Sequence, residues 1–131
     1  MELEVLNMEL TVCTLASAED FDPAKDFFFL GRTDKEISLV CRTEDVPKGT
    51  LEREDGWRGF RIRGILDFSL IGILAGITDV LARNRIGLFA VSTYNTDYIL
   101  VREEDFDRAG LVLSEAGYAI AGPEEEAGKS G

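Results

Sequence analysis

The side chains that could do chemistry are concentrated in a few places. Asp67 and Ser69 stand at the head of an apolar run with helical period, where a side-chain oxygen can accept a hydrogen bond from a free backbone N–H. Ser92 and Thr93 close the run IGLFAVST and bring two hydroxyls to the Tyr94–Asn95–Thr96 turn, with Asp97 directly after it. Arg58, Arg61 and Arg63 form a basic stripe in an otherwise acidic chain, read as one solvated strand face matched by carboxylates. Histidine is absent, which removes the commonest general base and the commonest metal ligand together. Cys13 and Cys41, far apart and without histidine, make no zinc site. Carboxylates are abundant, but no spacing sets one pair apart as acid and base, and no glycine-rich phosphate loop is present. The available chemistry is recognition, and neither catalysis nor a cofactor is expected.

The totals bound the partners. The 131 residues suffice for one compact domain or two small ones sharing a core. Hydrophobic residues at 45% and charged residues at 30% fit a globular protein. A formal net charge of −11 repels phosphate backbones and anionic bilayers, so neither nucleic acid nor membrane is an expected partner. The start, Met1-Glu2-Leu3-Glu4, is acidic, and the longest apolar stretch, Leu70 to Ile77, is far short of a span. A cytoplasmic protein is expected, with Cys13 and Cys41 as buried reduced thiols. A disulfide would require their strands to be neighbours.

The elements that must position these residues follow from periodicity. Strands are expected at Glu9–Leu15, Phe27–Arg32 and Glu36–Arg42, the last two as a hairpin, with single helical turns at most in 17–25 and 43–56. Trp57–Ile65 alternates as a strand. Leu70, Ile73, Leu74, Ile77, Val80 and Leu81 give a helix over 70–82. Gly72 and Gly76 lie on one face of that helix, where close packing is the expected compensation for a cost of about 1 kcal/mol each. Ile86–Thr93 is read as a central strand and Asp97–Arg102 as its hairpin partner. A second helix over 103–116 carries acid in its first turn and stops at Gly117, and 118–121 is a last strand.

Residues 57–121 therefore spell βαββαβ, the ferredoxin-like plan, with a four-stranded antiparallel sheet and both helices on one face. Residues 1–56 spell the same plan with its helices shortened, and 122–131 form a tail. At an offset of sixty, residues 29–46 lie on 89–106 without a gap, matching Phe29 with Phe89, Thr33 with Thr93, Arg42 with Arg102, Glu44 with Glu104 and Asp45 with Asp105. The fold class expected is α+β, built from tandem ferredoxin-like units with antiparallel sheets, the first one shortened.

The runs GILDFSLIGILA at 64–75 and LFAVSTYNTDYILV at 88–101 resemble the ACT domain family. Within it they are closest to the small tandem-ACT proteins similar to the cytosolic arginine sensors of animals. The resemblance is strong over 57 to about 118, its specific piece being F-A-V-S-T-Y-x-T-D-Y-I-L-V. It implies a non-catalytic regulatory module that binds an amino acid or a similar small molecule and pairs side by side as a homodimer. It also implies a ligand held where the loop before the first helix meets a strand of a neighbouring unit. Carried over, the loop residues are Asp67, Ser69, Leu70, Ile71 and Gly72, and the strand residues are Phe89, Ala90, Val91, Ser92 and Thr93. In that reading free N–H groups near Leu70 and Ile71 take a carboxylate and Asp67 faces an ammonium group. Two plainer readings stand beside it: Asp67 and Ser69 only cap the helix, and Ser92 and Thr93 only hold the turn. The alternative function is a structural or protein-interaction module that uses the same surface for dimerisation or docking without a ligand.

Overall fold

The structure, a computed structural model, describes residues 1–63 and 72–122. Among the described residues, seven strands and two helices follow in the order β1 (Glu2–Thr14), β2 (Phe28–Arg32), β3 (Ile37–Arg42), β4 (Glu52–Ile62), α1 (Ile73–Arg83), β5 (Leu88–Ser92), β6 (Asp97–Arg102), α2 (Phe106–Glu115) and β7 (Ala119–Ala121). Single 3-10 turns lie at Ala18–Asp20, Thr43–Asp45 and Glu103–Asp105. The chain divides into two compact units, Met8–Trp57 and Met1–Asn7 with Arg58–Gly131. The boundary falls inside β1 and inside β4, so the first seven residues belong with the C-terminal unit.

In the C-terminal unit the strand order is β7-β1-β4-β6-β5. The expected βαββαβ succession is present, but its sheet is not the expected four antiparallel strands. β1 lies between β4 and β7, and it pairs with β7 in parallel, Leu3 opposite Ile120. The physical reason lies in residues 2–8, where Leu3 and Val5 alternate with Glu2 and Glu4. Leu3 is fully buried beside Phe60 and Ile62, and Val5 packs on the same cluster. A strand begun at Glu9 overlooks this alternation. β5 is also displaced from expectation: it ends the strand order and is an edge, although its residues are apolar.

Both helices cover one face. Ile77 and Leu81 of α1 and Ala109 and Leu113 of α2 share a core with Phe60 and Ile62 of β4 and Ile99 and Val101 of β6. α1 begins at Ile73, so Gly72 is not in its interior. Gly72 is the residue before the first turn, at φ +87°, with open space where a Cβ would stand. That left-handed backbone is the reason for glycine there, in place of the close packing expected. At Gly76 the packing expectation holds, because a Cβ would come within 2.9 Å of the Tyr118 hydroxyl.

In the N-terminal unit the order is β2-β3-β1-β4. Phe28, Leu39 and Cys41 pack with Cys13, Leu15 and Phe21. The 3-10 turns at Ala18–Asp20 and Thr43–Asp45 stand where the C-terminal unit has helices. Ser17 caps the first by accepting from the Glu19 N–H, and Pro23 follows too soon for more turns. Phe28–Arg32, Ile37–Arg42 and Thr43–Asp45 stand sixty positions before Leu88–Ser92, Asp97–Arg102 and Glu103–Asp105. Phe29 pairs with Val40 as Phe89 pairs with Leu100, and β3 and β6 share one burial pattern.

The strands of the two thiols are neighbours, but Cys13 faces Leu39 and Cys41 faces Thr11, and both thiols are free. Burial, then the nearby Cys13 sulfur, push the Cys41 thiol from 9.0 up to about 12. The folded chain therefore keeps that proton where the unfolded chain loses it. The stability contributed is complete below pH 9 and drains away as pH rises toward 12. Urea unfolding across that window should show a shallower alkaline decline in Cys41→Ala than in the parent, and parallel declines would contradict the assignment.

Candidate functional site

Of the ten residues singled out for ligand contact, Asp67, Ser69, Leu70 and Ile71 lie outside the described residues. The other six lie at the entrance to α1 and along β5 with the turn after it. Gly72 is exposed at the entrance to α1. On the edge strand, Phe89 and Val91 are half-buried, and Ala90, Ser92 and Thr93 are exposed. Phe89 and Val91 face one side of the sheet with Leu100 and Tyr98, their partners in register.

The hydroxyls of this strand are committed locally. The Ser92 hydroxyl donates to the Asp97 carboxylate. The Thr93 N–H and hydroxyl both donate to the Thr96 carbonyl, at 2.8 and 3.1 Å. Thr96, which nothing in the sequence singled out, is buried, and its hydroxyl donates to the Ile62 carbonyl at 2.6 Å. This bond fixes the β5–β6 turn beside the end of β4. Replacing Gly72 by alanine strains its left-handed backbone and should lower stability by about 1–2 kcal/mol. The melting midpoint of Gly72→Ala measures this, and an unchanged midpoint would mean that the entrance to α1 relaxes freely.

The arginine stripe is not one solvated face. Arg58 sits on the helix side, its guanidinium 4.3 Å from the Phe106 ring, and Phe106 stacks on Phe60 at 4.9 Å. Arg61 and Arg63 point the other way. Arg61 donates to both oxygens of Glu4, at 3.3 and 3.2 Å, and to the Tyr98 hydroxyl at 3.3 Å. Arg63 pairs with Glu2 at 3.3 Å and stands 3.9 Å from Glu4. These arginines are matched by carboxylates, which leaves little charge for an anionic ligand.

The N-terminal unit holds a cleft of about 520 Å³ at its own hairpin end. It is bounded by the end of β1 at Thr14–Ala16, the turn Arg32–Ile37 and the start of β4 at Leu51–Glu52. Motif reading passed over it, although the offset of sixty sets Arg32–Ile37 against Ser92–Asp97. Among the described residues no group of three or more His, Cys, Asp or Glu could hold a metal ion. No described helix is long and apolar enough to cross a membrane.

Residues 52–115 match the ACT domain family. A structure of the Agrobacterium tumefaciens protein Atu0741 is 31% identical, with 94% of this chain and 93% of that one covered and a TM-score of 0.81. Two more distant structures share the fold at 13% identity. Aspartokinase alpha and beta subunits match over 88% of this chain and 97% of that one, with a TM-score of 0.62. Clostridium acetobutylicum aspartate kinase matches over 77% of this chain and 31% of its own, with a TM-score of 0.58. No curated protein matches the sequence.

Proposed function

The chain belongs to the same family as the Agrobacterium tumefaciens protein and carries an ACT domain, and from that premise we propose that it is a non-catalytic regulatory module that binds an amino acid. The observation that carries this reading is the ACT match over 52–115, which spans both the entrance to α1 and the β5–β6 hairpin. In the proposed site the ligand carboxylate takes the N–H groups near Leu70 and Ile71, Asp67 faces its ammonium, and Ser69 is a further contact from the same loop. Phe89 to Thr93 of an adjacent unit form the other wall. Gly72 at φ +87° supports the reading, because it supplies a glycine in the loop before the helix. The resemblance to arginine sensors puts arginine first among ligands to try, and the matched positions of the two hairpins favour a tandem origin.

A thermal-shift screen of the twenty amino acids tests this. A ligand that binds only the folded state stabilises it by about 2.7 kcal/mol at a hundred times its Kd, so one amino acid should raise the midpoint by several degrees. Silence across all twenty sinks the reading. β5 favours a second one, in which the surface serves pairing alone: it is an edge strand without a charged residue, LFAVS, the kind that invites another strand. A homodimer in sedimentation with no ligand response would select it.

A further inference from the structure

We propose that Cys13 and Cys41 form a two-coordinate metal site in the N-terminal unit, and that it takes a soft monovalent cation, copper(I). This goes beyond the reading above, since it concerns an inorganic ion and other residues, and it stands even if no amino acid binds.

Register comes first. The two cysteines of the sequence meet on one strand pair. Cys13 in β1 stands opposite Leu39, and Cys41 in β3 stands opposite Thr11, so the thiols are diagonal neighbours two positions apart in register. Both pack in one core cluster with Leu15, Phe21 and Leu39, so both point to the same side of the sheet. Diagonal neighbours of an antiparallel pair have Cα atoms about 7–8 Å apart. A disulfide joins Cα atoms about 5.5–6 Å apart through an S–S bond of about 2 Å, so this pair cannot close without moving backbone. Two metal–thiolate bonds of about 2.3 Å set in line extend that reach by about 2.5 Å, to about 8 Å. The register therefore suits a sulfur–metal–sulfur bridge better than a sulfur–sulfur bond. Burial alone does not call for sulfur here. At the offset of sixty Cys41 corresponds to Val101, and an aliphatic side chain fills that place in the helix-covered core.

The surroundings then select the ion. Besides the two sulfurs the cluster is apolar, with Phe28, Ile37 and Val46 packed against it. The Thr11 hydroxyl, opposite Cys41, is committed: it donates to Asp55 at 2.7 Å and lies 2.9 Å from the Thr43 hydroxyl. Among the described residues no group of three or more His, Cys, Asp or Glu could hold a metal. Zinc, which takes four ligands, and the oxygen-seeking magnesium and calcium are therefore poorly served. Soft thiolates select copper(I), and two of them in line complete its coordination. On binding, each thiol gives its proton to solvent, two copper–sulfur bonds form, and the copper stays in the +1 state. The bridge then carries one negative charge. Burial opposes the thiolate form at both sulfurs, seconded by Asp55 at Cys13 and by Asp45 at Cys41, but the Arg53 guanidinium favours it at both. Arg53 is thus the cation that faces the bridge. Part of the cover is Phe21, which follows a single 3-10 turn, and so short a segment opens locally more readily than a packed helix.

The test is a competition for copper(I) between the whole reduced chain and bicinchoninate under anaerobic conditions, read as loss of colour of the bicinchoninate complex. The parent should withdraw one ion per chain. Cys13→Ala and Cys41→Ala should each weaken binding by at least the roughly hundredfold that changes around metal ligands reach, since each removes one of two ligands outright. Urea unfolding confirms that the variants are folded, and Cys13→Ser and Cys41→Ser replace any that is not. A second readout separates the folded site from sulfurs that bind only after unfolding. Copper(I) should raise the urea midpoint of the parent and leave that of the variants unchanged, because an ion that binds only the folded state stabilises it. Zinc(II) at the same concentration should not raise it. Undiminished binding by either single variant, a parent midpoint that stays or falls with copper(I), or an equal rise with zinc(II) overturns the proposal.

Discussion

Arg61→Met will lower the stability of the folded chain by about 2–4 kcal/mol, because it strands Glu4. Only 4% of the Glu4 side chain is exposed, and Arg61 holds both of its oxygens. Burial works against the charge on Arg61, but its hydrogen bonds to Glu4 and Tyr98 outweigh that effect and hold its pKa above the ordinary value. Breaking a buried pair from one side typically costs 3–5 kcal/mol, since the remaining charge stays desolvated. Here the cost is reduced because Arg63 stands 3.9 Å from Glu4 and the Arg61 side chain is 31% exposed. The second half of the cycle separates this from lost packing. Glu4→Leu combined with Arg61→Met replaces both charged groups by apolar ones and should recover much of the loss, because no buried polar group of the pair is then left unmatched. Urea unfolding of the two single variants and the double measures the coupling, and simple additivity would show that the bridge contributes nothing beyond the packing of its stems.

What the sequence discloses depends on how many residues share a signal. The period from Ile73 to Leu81 repeats over several turns, and α1 lies there. The hairpins carry two strands and a turn each, and both are present with matched registers. Signals borne by single residues fared worse. A helix pattern extends through Gly72 in one dimension, but only the backbone shows that this residue has φ +87° and lies outside. The alternation of Leu3 and Val5 is too brief to stand out before Glu9, yet it places β1 between β4 and β7. β5 reads as central because apolar residues lie on both of its faces, whereas position in a sheet depends on which strands pair, a long-range matter. At the candidate site the structure adds a contact that the sequence does not disclose: the hairpin end lies beside the end of β4, held by Thr96, a residue of no conspicuous type. The cleft at Arg32–Ile37 was hidden because exposed charges in a turn look like ordinary solvated surface until a backbone frames them.

The second large effect concerns what a shortened unit means energetically. Ile99 and Leu39 are both fully buried, sixty positions apart, in β6 and β3. Truncating such a side chain costs about 2–5 kcal/mol, and the value depends on how far the surroundings collapse into the space left. Ile99 packs among Phe60, Ile62, Ile77, Leu81 and Leu113, under two helices that contact each other. Helices locked by such packing cannot follow a lost side chain inward, so Ile99→Ala should cost about 4 kcal/mol. Leu39 lies in a smaller core with Cys13, Leu15, Phe21 and Cys41. What covers it includes Phe21, which follows a single 3-10 turn, and Phe28 leaning on it at 4.8 Å. Short segments of this kind can settle, and Leu39→Ala should cost about 2–3 kcal/mol. Urea unfolding of both variants gives the two numbers. A cost at Leu39 equal to or above that at Ile99 would mean that the unit without helices is packed as rigidly as the one with them.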